Sequence, residues 1–165
     1  MSEHAVLVTS DTHVLDASRL PDALLTLAQR ADHIVHAGDL CSADVIDVLS
    51  ACAPLTAVCG NVDGMDVAAR LEDRAFASIG GRQVGVLHDA GEATGRHKRL
   101  ESMLPDCSIR IYGHTHLPEI TWLDDGSLII NPGSPVQRRR APFHSCVWLT
   151  IGPDAVTADL INLDV

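Results

Sequence analysis

AVLVTSD (residues 5–11) and HIVHAGD (residues 33–39) flank the segment PDALLTLAQRA (residues 21–31), and this arrangement decides the fold class. The two flanking segments are apolar and β-branched, as in buried strands. The middle segment has Pro21 at a helix-start position. Its apolar residues recur on one helical face: Leu24, Leu27, Ala28 and Ala31. The order strand, helix, strand predicts a βαβ unit with parallel strands.

The same pattern repeats along the chain. SADVIDVLSAC (residues 42–52) opens with Ser42 as a candidate N-cap and leads into LTAVCGN (residues 55–61), which predicts a third parallel strand. Later residues predict a short helix over 66–71, a hairpin turning at Gly80 and Gly81, and a helix over 97–104. The strand IRIYGHTH and two hairpins turning at residues 125–126 and 152–153 follow. These elements predict an α/β fold, either two-layered or an α/β sandwich with mixed sheets.

Composition limits the classes of function. The 165 residues are expected to form one domain over residues 1–165, with 46% apolar but only 3% aromatic residues, which suits a buried parallel sheet. The net charge of -10 argues against an extended nucleic-acid surface or an anionic membrane partner. The one basic run, residues 138–140, is interpreted as a solvated turn. No apolar stretch approaches the roughly 20 residues of a membrane span and no leader pattern is present, so we expect a cytoplasmic protein.

The five cysteines are an odd number without CxxC spacing. This pattern favours reduced, mostly buried thiols over a disulfide or zinc–thiolate framework. Cys41 and Cys59 lie beside polar motifs, so an oxidation-sensitive thiol near a site is the weaker alternative.

A short polar cluster ends each of five predicted strands. The clusters contain Asp11 and His13, Asp39, Asn61 and Asp63, His88 and Asp89, and His114 and His116. Because the carboxyl ends of parallel strands line the ligand crevice of an open α/β sheet, we expect these clusters to converge. Each motif alone is commonplace in turns and helix caps, whereas five in this order are not.

Carboxylate, amide and imidazole groups form an oxygen and nitrogen ligand set suited to Mn, Fe, Zn or Co. Seven or eight converging ligands exceed the four of one tetrahedral zinc, so they indicate two ions about 3.5–4 Å apart. Gly38, Gly60 and Gly113 directly precede Asp39, Asn61 and His114. Each of these glycines is interpreted as a place where the backbone turns sharply beneath the ions.

The ordered motifs DTH, GD, GNVD, LHD and GHTH resemble those of the calcineurin-like metallophosphoesterase superfamily, over nearly the whole chain. The chain length, the GN-x-D form and the later INPGS stretch (residues 130–134) are similar to its YfcE-type branch of small bacterial phosphodiesterases. This resemblance implies a four-layer α-β-β-α sandwich with two mixed sheets. The same branch includes the retromer scaffold subunit.

When the motifs are matched one by one, the resemblance implies which residues hold each predicted ion. Asp11, His13 and His116 would hold one ion, Asn61, His88 and His114 the other, and Asp39 would bridge them. The predicted catalytic residues are Asp39, Asn61 and Asp63.

Two positions depart from the family pattern. Val62 stands where many members have a histidine that serves the leaving group, so Asp63 is the remaining candidate acid, provided that its pKa is raised. Asp89 stands where the branch often has glycine.

We therefore expect a hydrolase with two divalent ions, Mn first and Fe, Zn, Ni or Co as alternatives. A hydroxide bridging the metals would attack a small phosphate ester, most favourably a diester with a good leaving group. Two alternatives stay open: a metal-binding or scaffold protein of the same fold without turnover, and a mononuclear zinc hydrolase. Exposed strands in the last hairpins would suit a homodimer.

Overall fold

The computed structural model describes residues 2–165, which form two five-stranded sheets and four α-helices. The strands are β1 (His4–Thr9), β2 (His33–His36), β3 (Leu55–Ala57), β4 (Arg74–Ile79), β5 (Arg82–Leu87), β6 (Ile109–Ile111), β7 (Glu119–Trp122), β8 (Leu128–Asn131), β9 (Ser145–Ile151) and β10 (Val156–Asn162). The helices are α1 (Asp22–Ala28), α2 (Ala43–Cys52), α3 (Met65–Ala68) and α4 (Arg96–Met103), and a 3₁₀ turn covers Ala17–Arg19.

The first sheet has the strand order β10-β9-β1-β2-β3. Strands β1, β2 and β3 run parallel, with Val6 opposite His33 and Ile34 opposite Leu55, which confirms the predicted βαβ units. The last hairpin, β9 and β10, pairs antiparallel with the β1 edge. The carboxyl ends of the three parallel strands therefore open at one edge.

The second sheet has the order β4-β5-β6-β8-β7 and is also mixed. Strands β5, β6 and β8 run parallel, while β4 and β7 lie antiparallel at its two edges. Ile79 pairs with Arg82 across Gly80 and Gly81, whose φ angles are 55° and 78°. Both turn residues thus occupy the left-handed region that a two-residue hairpin requires, as the Gly-Gly pair predicts.

Alternate residues of each strand point to different layers. Val6 and Val8 of β1 pack in the same cluster as Ile109 and Ile111 of β6, between the two sheets. Leu7 instead belongs to the cluster that contains the α1 and α2 side chains.

The outer face of the second sheet is covered in the same way. Ile129 of β8 packs with Leu100 of α4 and with Leu104. Burying each such aliphatic side chain contributes about 1.5–3 kcal/mol. The result is the expected four-layer α-β-β-α sandwich with two mixed sheets.

Some predicted bounds differ from the structure. Helix α3 ends at Ala68 rather than at residue 71, and α1 ends at Ala28, after which residues 29–31 continue as a turn. Ser42 occupies the cap position of α2, but its hydroxyl bonds to the Asp44 side chain instead of to a backbone amide. All five cysteines are free. Within residues 2–165, none of the helices has both the length and the apolarity that a membrane crossing demands.

Candidate metal centre

The polar clusters that follow β1, β2, β3, β5 and β6 meet where the two sheets pack together. The first three come from one sheet and the last two from the other. The prediction that they converge is right, but the crevice lies between two sheets rather than along one open sheet. The His88 ring reaches across to Asn61, and the amide of His114 donates to the Asp11 carboxylate at 3.0 Å.

Asp11, His13 and His116, hereafter the buried group, lie closest to the core. The Nε2 atoms of His13 and His116 are 3.2 Å apart. They lie 3.6 and 3.3 Å, respectively, from Oδ1 of Asp11. Asp11 and His116 are fully buried. Three ligand atoms therefore face a common point.

The donor arrangement of the buried group fits a cation. Oδ1 of Asp11 is a buried oxygen without a hydrogen-bond partner among the described residues, whereas Oδ2 accepts from Ser10 and from the His114 amide. Burial opposes ionisation of Asp11, but the adjacent His116 and His13 imidazoles and the Ser10 hydroxyl outweigh it and hold the pKa of this carboxyl well below its ordinary value. A buried carboxylate with a free oxygen beside two imidazole nitrogens is a suitable site for a divalent ion.

Asn61, His88 and His114, hereafter the outer group, form the second set. Oδ1 of Asn61 lies 2.9 Å from Nε2 of His88 and 3.0 Å from Nδ1 of His114. His88 is 4% exposed, whereas 39% of the His114 side chain is exposed. One amide oxygen and two imidazole nitrogens thus meet at the surface end of the crevice.

The carboxylate of Asp39 lies between the two groups. Its Oδ2 is 3.5 Å from Nε2 of His13 and 3.2 Å from Nε2 of His88, so it faces one imidazole of each group. Asp11 also lies near both groups, but its Oδ1 is 4.0 Å from His88. The shorter and nearly equal distances favour Asp39 as the shared ligand.

Hydrogen bonds behind the imidazoles orient them. Nδ1 of His88 donates to the carbonyl of Ala37 at 2.7 Å, and Nδ1 of His116 donates to the carbonyl of Gln137. Each bond places the proton on Nδ1 and leaves the Nε2 lone pair free to bind a metal. Sequence patterns miss Gln137, because a backbone carbonyl carries no residue signature.

The backbone at the centre is strained. Eight non-glycine residues in the described chain have φ between 46° and 72°. Five of them are predicted ligands: Asp11, His13, Asp39, His114 and His116. Such conformations cost of order 1–3 kcal/mol each and cluster at functional sites, where surrounding contacts over-determine them.

Two of the predicted glycines are required by close approach. A Cβ at Gly60 would collide with the Asp39 carboxylate, and one at Gly113 would collide with the Ser10 hydroxyl and approach Asp11. These positions leave the carboxylates room to face the centre.

The INPGS stretch supports the ligand loops from behind. The Asn131 side-chain amide donates to the carbonyl of Gly113 at 3.0 Å, and the Ser134 hydroxyl donates to the carbonyl of Asp11 at 2.8 Å. The resemblance to the YfcE-type branch includes this stretch but implies no role for its residues. Its two polar side chains hold the first and last ligand loops together.

Asp63 is placed for positioning rather than for proton transfer. Its carboxylate accepts the backbone amides of Asp39, Cys41 and Gly60 at 3.0, 2.6 and 2.7 Å. These three amides take up most of the acceptor capacity of the carboxylate. The hydrogen bonds therefore argue against the acid role considered for Asp63 and join the Asp39 loop to the Asn61 loop.

Three side chains outside the two ligand groups, Cys41, His97 and Arg96, have partners of their own. The Cys41 thiol lies 3.6 Å from Nδ1 of His13, and burial and nearby carboxylates raise its pKa to about 11, so it stays protonated at neutral pH. His97 is bonded to Glu119 at 2.5 Å, and Arg96 covers the Tyr112 ring. These contacts account for the two side chains without a substrate.

A family model and a curated relative match most of the chain. Residues 5–153 match the calcineurin-like phosphoesterase superfamily domain. A probable metallophosphoesterase of Methanothermobacter thermautotrophicus is 35% identical over 159 residues, covering 94% of this chain and 90% of the relative.

Solved structures show the same fold at lower identity. An archaeal phosphodiesterase has a TM-score of 0.71 at 21% identity, covering 95% of this chain and 99% of its own. The Escherichia coli phosphoesterase YfcE has a TM-score of 0.66 at 19% identity, covering 96% of this chain and 99% of its own. Vps29 of Entamoeba histolytica, complexed with zinc, has a TM-score of 0.70 at 23% identity, covering 96% of this chain and 99% of its own. With its ligand-type clusters gathered in one crevice, the chain belongs to the calcineurin-like phosphoesterase superfamily.

Proposed function

We propose that the chain is a metal-dependent phosphodiesterase that uses two divalent ions. One observation carries the proposal: Asp39 presents a single carboxylate oxygen to His13 of the buried group and to His88 of the outer group, at 3.5 and 3.2 Å. A carboxylate shared in this way is the arrangement expected between two ions. Mn²⁺ is the proposed ion, with Fe, Zn, Ni and Co as alternatives.

The bound ions would supply a nucleophilic hydroxide at neutral pH and would neutralise charge on the phosphoryl oxygens. The chain's own residues set up that chemistry. His88 and His116 keep their Nε2 lone pairs free because Nδ1 of each is bonded to a carbonyl. Asp63 fixes the Asp39 loop through backbone amides, so the shared carboxylate stays in place without rearrangement.

The surroundings of the leaving group determine which esters react fastest. Val62 is half exposed at the position where many relatives have a histidine, and the Asp63 carboxylate is occupied by three amides. Neither Val62 nor Asp63 therefore offers a free acid to protonate a poor leaving group. We expect esters with good leaving groups, such as p-nitrophenyl diesters, to react best.

The test is hydrolysis of bis(p-nitrophenyl) phosphate and of p-nitrophenyl phosphate by metal-stripped protein, before and after addition of Mn²⁺. We expect Mn²⁺-dependent turnover of the diester at a higher rate than the monoester. Asp39→Asn should lower the rate by about 10²–10³-fold, as losses of electrostatic groups at active centres do. Asp124→Asn is the matched control, because Asp124 is exposed and takes part in none of the hydrogen bonds found in residues 2–165.

The alternatives give different results in the same experiment. A folded protein that binds metal but shows no turnover with Mn²⁺, Ni²⁺, Co²⁺ or Zn²⁺ would contradict the enzyme proposal and favour a binding or scaffold role. Turnover with one metal ion per chain, measured by elemental analysis, would instead favour a mononuclear hydrolase.

A further inference from the structure

A cavity of about 790 Å³ opens beside the buried group. Its lining consists of His13, Val14, Leu15, Asp16, Arg19 and Val136. His13 turns its Nε2 toward Asp11 and Asp39, so one wall of the cavity is a predicted metal ligand. Val136 directly precedes Gln137, whose carbonyl holds His116. The cavity is therefore adjacent to the centre on two sides.

The walls of this cavity are largely apolar. Val14, Leu15 and Val136 contribute aliphatic surface, and the Leu15 side chain is 83% exposed at the rim. A Leu exposed to this degree next to a catalytic centre offers contact area that a bound organic group would remove from water.

Arg19 provides the only cationic side chain in the described lining. Its guanidinium forms no ion pair with a carboxylate of residues 2–165. The neighbouring carboxylate of Asp16 accepts the backbone amide of Ser18 through Oδ1 at 2.8 Å, and its charge interacts with that of Arg19 without a direct ion pair. An arginine keeps its charge at all ordinary pH values, so Arg19 can bind an anion at the mouth of the cavity.

A second cavity lies on the other side of the centre, next to Asn61 and His88, and it differs in both size and charge. It measures about 330 Å³. Its one arginine, Arg74, donates to the carbonyl of Met103 at 3.0 Å, and Asp73 lines the same cavity. The smaller cavity thus combines less room with a cation that already has a partner.

We infer that the cavity beside His13 binds one organic group of the phosphate ester, and that this group is apolar and carries a second anionic substituent that pairs with Arg19. The inference rests on the proposed function, because the phosphoryl group must lie at the metal centre for the organic group to reach the cavity. It narrows the substrate class to esters with a carboxylate or a further phosphate on the larger organic group.

The test is calorimetric binding of two phosphonates, benzylphosphonate and 4-carboxybenzylphosphonate, to the Mn²⁺-loaded protein. Each has one organic group, so the two possible cavities compete for it directly. We expect the carboxylated probe to bind about threefold to tenfold more tightly, as a charge-assisted pair at a partly exposed site would give. Raising the ionic strength to about 1 M should reduce this preference, because salt screens exposed pairs.

Two matched variants decide the outcome. Arg19→Gln should abolish the preference for the carboxylated probe, whereas Lys98→Gln, an exposed cation outside both cavity linings, should keep it. Thermal unfolding of each variant checks that it is folded. A preference that survives in Arg19→Gln, or equal binding of the two probes by the unmodified protein, would overturn the inference.

Failure of the proposed function gives a separate signal. Calorimetry needs no turnover, and bis(p-nitrophenyl) phosphate hydrolysis is measured on the same preparation. Turnover without an Arg19-dependent preference would reject the cavity assignment alone. An Arg19-dependent preference without turnover would support the cavity as a binding site and reject the enzyme.

Discussion

His114 and His116 belong to one motif and are separated by one residue, yet they lie in opposite surroundings. The His116 side chain is fully buried, and its two nitrogens face the Gln137 carbonyl and the Asp11 carboxylate. The His114 side chain is 39% exposed and lies between Asn61 and Asp89. Asn61 of the outer group is exposed like His114, whereas His88, its third member, is buried.

The two groups differ in how well their ligands are oriented before a metal ion binds. In the buried group, carbonyl and hydroxyl partners already orient the ligands, so little side-chain freedom is lost on binding. In the outer group, the exposed Asn61 and His114 must be ordered by the ion itself, and water competes for the same positions. We therefore expect the buried group to bind its ion more tightly.

The largest expected effect is a contrast between two matched variants. His116→Ala should weaken binding of the first Mn²⁺ by more than about a hundredfold, since even residues behind a ligand commonly cost 10–100-fold. His114→Ala should weaken only the second ion, by about tenfold, because water can replace an exposed ligand. Calorimetric titration of metal-stripped protein measures both, and equal losses in the two variants would contradict the contrast.

Asp63 tests whether the two groups are held together by the loops. Asp63→Asn replaces a carboxylate that accepts three amides by a group that can accept only through one oxygen. We expect a loss of about 2–3 kcal/mol in the free energy of unfolding and about tenfold in metal affinity.

The control for Asp63 is Asp66→Asn, because Asp66 is exposed and its carboxylate accepts a single backbone amide, that of Ala43 at the start of α2, at 2.9 Å. Its effect should be clearly smaller, below about 1.5 kcal/mol. If Asp63→Asn has the same free energy of unfolding and the same Mn²⁺ affinity as the unmodified protein, the positioning role is wrong.

Lowering the pH should reduce the stability of the fold through protonation of His36, on the buried side of the centre. This histidine is fully buried beneath the Asp11 and Asp39 loops, accepts the Gly38 amide at Nδ1 and bonds to Thr12 through Nε2. Burial lowers its pKa to about 4 from an ordinary 6.5. The folded state therefore binds fewer protons than the unfolded state between these values, so this group reduces stability as the pH falls through that window.

Between pH 6.5 and pH 5, His36 should lower the free energy of unfolding by about 1–2 kcal/mol. Denaturant titrations at several pH values measure it in metal-stripped protein. His36→Gln removes the titrating group, so its unfolding free energy should fall less over the same interval. Parallel pH profiles for the two proteins would show that His36 does not titrate as inferred.

The smallest effect is expected at Asp89 on the exposed side. Its Oδ2 lies 3.8 Å from Nε2 of His114, and its Oδ1 accepts the Gly91 amide at 2.8 Å. An exposed pair at this distance contributes little, so Asp89→Ala should change the second Mn²⁺ affinity and diester turnover by less than about fivefold. A much larger loss would identify Asp89 as a direct ligand or substrate contact.

Local patterns in the sequence determined the elements and the chemistry available to them. The alternation of valines in β1, the helical spacing in α1 and α2 and the Gly-Gly turn each depend on neighbouring residues. The polar clusters stand out for the same reason, because carboxylates and imidazoles directly after a buried strand are unusual side chains for that place. Sequence motifs could therefore predict every candidate ligand.

Only the tertiary structure decided how those ligands are shared and supported. His13 and His116 are 103 positions apart and meet because the two sheets pack through the valine and isoleucine core. The role of Asp63 depends on three amides from two loops, and that of Gln137 on its backbone carbonyl. Backbone contacts between distant loops leave no residue pattern in the sequence, because any side chain could carry the same amide or carbonyl.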